Sequence, residues 1–147
     1  MEETELFVAQ RAVSLSAART MFQAGASLAR ERGLALVFAV VDPAGHLKAF
    51  ERMDGAPLNS AEIAINKAWT AAAFGMTSQA VGELIAGDPQ LAQLAHTPRL
   101  VAFGGGYSIV SEGHLMGGLG VSGGSYVEDM EVAETALCSL KLRSGRD

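Results

Sequence analysis

A single cysteine, Cys138, in 147 residues excludes an internal disulfide and any thiolate metal cluster. It falls in a late helical pattern and reads as a buried, inert thiol. Basic runs are absent and the net charge is −5, which argues against nucleic acid or an anionic membrane as partner. No apolar stretch approaches the roughly 20 residues that cross a bilayer. The N-terminal MEETELFVAQ lacks the basic region and apolar run of a signal peptide, so a soluble cytoplasmic chain is expected. Aromatics are scarce, at 6%, whereas glycine occurs 17 times. Small residues let backbones approach closely, either to one another or to a flat ligand.

With 49% apolar and 18% charged residues, the chain has the composition of one globular domain, 1–147, large enough for a hydrophobic core. Residues 14–32 carry apolar or small side chains at helical spacing (Leu15, Ala18, Phe22, Ala26, Ala29), with Ser14 as N-cap and Gly33 at the C-terminal end. The run 34–42 reads as a central strand buried on both faces, turned by Pro43-Ala44-Gly45 into a second strand. Asn59 or Ser60 caps a helix that stops at Gly75, with Glu62 placed for a capping box. Thr77 or Ser78 starts a short helix to Gly87, and 88–95 forms another helical turn. Residues 99–103 read as a third strand. A hairpin follows around Ser111-Glu112-Gly113, and a last helix spans 127–142, ahead of Ser144-Gly145. The sum is an α+β fold with a mainly antiparallel sheet of about five strands and helices packed on it.

Polar residues cluster between 36 and 76. Seven residues of helix turn by about 700°, so Ser60 and Lys67 share an edge of the apolar face Ala61, Ala64, Ile65, Ala68 and Ala72. Lys67 there either snorkels to water or aims a cation across the sheet at an anionic group, which free N–H groups beside Ser60 would also favour. Arg52 adds a possible bidentate carboxylate contact. Asp42 and Asp54 read first as turn-formers, and Trp69 as packing or a subunit contact. His46, His96 and His114 are too dispersed for a zinc motif, although one histidine suffices for an axial haem ligand, with His46 and His114 as candidates. Gly118, Gly120 and Gly123 match GxGxxG, but no following strand or acidic residue supports a dinucleotide site. The glycines instead permit close packing or a flat ligand.

The segments AVVDPAGHLKAFERMDGA, Ser60, KAWTAAAFG and GGLGVSGGSYVEDMEVAETAL together resemble the GlcG/HbpS-like haem-binding family, related to the C-terminal domain of PduO-type proteins, over about residues 12–140. The resemblance implies a profilin-like α/β/α layered fold and homo-oligomers from dimers to octamers. It also implies a haem or tetrapyrrole ligand. Arg52, Met53, Asp54, Ser60, Lys67, Thr70, Gly120, Val121, Ser122, Gly123 and Asp129 belong to the shared pattern. The chain departs from it in having no histidine in the first helix and in reading Gly105-Gly106-Tyr107-Ser108 before the hairpin.

Two functions follow. One is a haem-binding accessory protein with Arg52, Met53, Asp54, Ser60, Lys67, Gly105, Gly106, Gly120, Ser122 and Gly123 around the ligand. The other is a metal-independent enzyme acting on a small carboxylate, with Lys67 and Asp54 as catalytic pair and Arg52 holding the substrate. A closed pocket of about 300 Å³ or less at Lys67 would exclude a porphyrin.

Overall fold

The computed structural model of the protein describes residues 1–142. Helix α1 (Leu15–Glu31) begins where the Ser14 side chain accepts a hydrogen bond from the Ala17 N–H at 3.0 Å. Gly33, at φ +70°, then turns the chain away from the helix axis. Strand β1 (Val37–Val41) is buried throughout. It pairs antiparallel with β2 (Leu47–Arg52) on one side and with β4 (His114–Ser122) on the other. Strand β3 (Gly106–Ser111) completes the sheet beside β4, giving the order β2-β1-β4-β3.

Alternation along β1 separates two cores. Phe38 and Val40 face α1 and the last helix, α4 (Tyr126–Cys138), in the larger cluster with Met21, Phe22, Leu119 and Leu137. Val37, Ala39 and Val41 face the central helix α2 (Ser60–Phe74) through Ala64, Ala68 and Ala72. The molecule is therefore an α/β/α sandwich, with α2 on one face of the sheet and α1 with α4 on the other. Glycines bring α2 down onto β4. A Cβ on Gly118 would collide with the Ala68 carbonyl oxygen, and one on Gly120 with that of Ala64. Of the two uses expected for these glycines, helix packing fills the space.

The sheet has four strands, not five. Residues 99–103, expected to form a strand, run irregularly beside α2 and the short helix α3 (Ser78–Ala86). Side chains there take the place of a strand partner. Thr70 Oγ1 accepts from the Val101 N–H at 2.9 Å and shares its proton between the Asn66 and Arg99 carbonyls. Ser78 Oγ donates to the Phe103 carbonyl at 2.6 Å and accepts from the Gly106 N–H at 2.8 Å. Once these backbone groups are satisfied, apolar content alone does not make a strand.

Other expectations divide. Pro89–His96 forms a 3-10 turn, and Asp42 holds its hairpin by accepting from the Ala44 and His46 N–H groups. Asn59 stands at the N-cap of α2 without a side-chain bond, so the Asn59–Glu62 box does not form. The box occurs instead at α4, between Ser125 and Glu128. That helix stops at Cys138, whose thiol is exposed and not buried, because Ala136 and Leu137 take the core-facing positions. Ser144 and Gly145 lie outside the described residues. No helix of the described residues is long and apolar enough to cross a membrane.

Candidate functional site

Lys67 lies at mid-helix in α2, on the face pressed against β4, and none of its surface is exposed. Its ammonium donates to Asp129 Oδ2 at 3.0 Å and to the Val121 carbonyl at 3.0 Å. The Phe103 ring covers it, 4.9 Å from the centroid. Gly105, at φ +127°, closes over it, and a Cβ there would lie 2.6 Å from Nζ. Asp129, in the first turn of α4, receives the Gly124 N–H on its other oxygen at 2.9 Å. Burial lowers the Lys67 pKa from its ordinary value, and the Asp129 charge opposes that. Burial raises the Asp129 carboxyl, against the pull of Lys67 and the Gly124 N–H. The cation expected to reach across the sheet to a ligand is instead sealed in, and its charge is matched by Asp129.

Above this pair lies a hollow of about 310 Å³, where the first turns of α2 and α4 converge. Asn59, Ser60, Ile63, Phe103, Ser122 and Asp129 line it, with the Gly123-Gly124 backbone at its edge. Ser60 and Ser122 are 3% and 5% exposed. Gly106 and Gly120 lie elsewhere, as close-approach positions under α2.

Arg52, Met53 and Asp54 belong to a different place. They line a hollow of about 380 Å³ with Ala26, Arg30 and Glu51. It adjoins another of about 330 Å³, lined by Leu15, Arg19, Phe22, Gln23, Ala49, Phe50 and Glu51. The two hollows share Glu51 and adjoin along a groove between α1 and the edge strand β2. Positions 15, 19, 22, 26 and 30 share one stripe of α1, so the helix presents apolar side chains and two arginines to this groove. Arg52 and Asp54 thus line a different hollow from the one over Lys67 and Asp129.

His46 is exposed and lies 3.7 Å from Asp42, just before β2, and His114 is exposed at the start of β4. Neither lines a hollow described above. Trp69, half-buried, packs beneath the Gly45 turn and against the Arg99 guanidinium at 5.0 Å. Among the described residues, no group of three or more His, Cys, Asp or Glu side chains is placed to hold a metal ion. Asp129 entered the sequence analysis only through the family resemblance, with no partner assigned, and Arg19 with Arg30 carried only their helical spacing.

The architecture defines a class: a three-layer α/β/α domain whose central helix is fastened to a glycine-faced sheet by a buried ion pair, with small hollows at its edges. Residues 13–138 match the family of haem-degrading HbpS-like proteins, and the chain belongs to that family. It is 37% identical, over 127 residues, to an uncharacterized 15.0 kDa protein from the dhaT–dhaS intergenic region of Citrobacter freundii, covering 85% of this chain and 89% of that one. It is 39% identical over 118 residues to the corrinoid adenosyltransferase PduO of the same organism, covering 79% of this chain but 35% of PduO. The solved complex of PduOC with haem is similar in structure, with a TM-score of 0.83 and 32% identity, covering 90% of this chain and 98% of that one.

Proposed function

We propose that the protein is a haem- or tetrapyrrole-binding accessory protein and that its ligand lies in the α1–β2 groove. The observation that carries this reading is the likeness, over 90% of the chain, to a domain solved with haem. The groove supports it from this chain's own residues. A porphyrin is an apolar plate with two carboxylates on one edge. Leu15, Phe22, Ala26 and Met53 offer apolar contact. Arg19 and Arg30, eleven residues apart and so separated by about 16 Å of helix, offer guanidinium groups to the propionates. The hollow over Lys67 and Asp129, at about 310 Å³, is at the lower end of small-molecule sites and does not suit a porphyrin.

Haem, when bound, would supply the iron-centred chemistry. The chain's own part is to bind the plate, neutralise its carboxylates and shield one face from water. Of the axial candidates, the Met53 thioether lies in the groove, where it already accepts from the Leu36 N–H at 3.4 Å, and His46 and His114, which line neither hollow, would have to be supplied across a contact between copies. The groove is open along β2, an edge strand with Leu47 and Phe50 exposed, so a second copy is expected to complete its outer wall.

The test is the absorbance spectrum of the haem-loaded, tag-free protein compared with His46→Ala, His114→Ala and Met53→Leu. Loss of the ligated Soret band in one variant names the axial residue. A spectrum like that of free haemin in every sample, wild type included, would overturn the reading.

A further inference from the structure

The hollow above Lys67 and Asp129 is left unused by a ligand in the α1–β2 groove, and two features mark it as more than a surface dent. The Ser60 and Ser122 side chains are both more than nine-tenths buried and line it. Neither hydroxyl has a hydrogen-bond partner among the described residues, yet no fully enclosed polar side-chain atom lacks one. The two hydroxyls therefore open into the hollow itself. Protein interiors seldom leave such groups unmatched unless water or a ligand meets them. In addition, α2 starts here without a side-chain cap, since Asn59 makes no such bond. The Ser60 N–H is taken by the Pro57 carbonyl at 3.0 Å, and no side chain caps the N–H groups that follow it at the positive end of the helix.

From this geometry we infer a second, separate site, for a small carboxylate anion. One carboxylate oxygen would accept from Ser60 Oγ and the other from Ser122 Oγ, beside the uncapped first turn of α2. Asp129, the ionised group lining the hollow, does not forbid an anion. One of its oxygens receives the Lys67 ammonium and the other the Gly124 N–H, so its charge is matched from beneath. Glu62 is exposed, and the half-buried Glu128 turns its carboxylate to the Ser125 N–H in its capping box; neither lines the hollow. Phe103 and Tyr126, 47% and 53% exposed, form an aromatic rim suited to the apolar part of the anion. The volume of about 310 Å³ limits the ligand to a small metabolite.

Amide NMR titration of the full chain with acetate and benzoate tests this, using acetamide, benzamide and sodium chloride as controls. Saturable shifts at Ser60–Glu62 and Ser122–Gly124 are expected with the carboxylates, and with neither amides nor chloride. Ser60→Ala and Ser122→Ala should each weaken binding about tenfold while the remaining spectrum stays in place. Equal shifts from the amides or from chloride, no saturable shift, or full affinity in both variants would each overturn the assignment. Haemin binding is read separately and should persist in both variants, so failure here is distinct from failure of the haem reading.

Discussion

At Lys67 an ammonium has exchanged water for one carboxylate, one carbonyl and one aromatic face, in a position with no exposure. Buried pairs of this kind seldom add net stability, because desolvation of two ions offsets their attraction, whereas stranding one of them costs about 3–5 kcal/mol. Lys67→Met is therefore expected to destabilise the fold by that amount, measured by urea unfolding. It should also push the Asp129 pKa further up, since Lys67 opposes the effect of burial. Lys67→Met combined with Asp129→Asn keeps an acceptor for the Gly124 N–H and should recover most of the loss. The pH dependence has a definite sign. Because Asp129 is raised, its contribution to stability falls as pH rises from the ordinary carboxylate value through its folded value. Because Lys67 is lowered, its contribution returns as pH rises from its folded value towards 10.5. Wild-type stability relative to the double variant should thus be lowest between the two folded values. A flat difference across that range would contradict the shifts.

Among the elements, α2 depends on its contact with β4 more than on its own start, which lacks a side-chain cap. Gly120 has no space for a side chain, because both the Ala64 carbonyl and the Ala68 N–H group lie against it. Gly120→Ala is expected to cost about 3 kcal/mol or more, since two backbones must separate, and thermal unfolding measures it. A change below about 1 kcal/mol would show that α2 is not pinned there. These elements were largely legible from residue order. Ser14, Gly33, Thr77 and the alternating cores of β1 announce local structure, and the structure places them as read. The misread run at 99–103 has the composition of a strand, but its partners are Thr70 and Ser78, some 30 residues upstream on helices. No local pattern encodes that crossing. Lys67 was visible as an unusual residue at the edge of an apolar face. Its partner was not, because pairing with Asp129 spans 62 positions and depends on the layering.

For the molecule as a whole, β2 is an exposed edge of the sheet, with Leu47 and Phe50 open to solvent. Open edges of this kind invite pairing with another copy. A homo-oligomer is expected by light scattering on the eluted protein, and Leu47→Lys with Phe50→Lys should shift it toward monomer. A monomeric wild type would remove the second copy from the account of the groove. The central claim is that haem binds in the α1–β2 groove through its arginines. The most direct measurement is a haemin titration of the tag-free protein followed at the Soret band, wild type beside Arg19→Glu/Arg30→Glu. The account predicts saturation at a fixed stoichiometry in wild type and binding at least about tenfold weaker in the double variant, with unchanged circular dichroism. Failure of the wild type to saturate, or equal affinity in the variant, would contradict it.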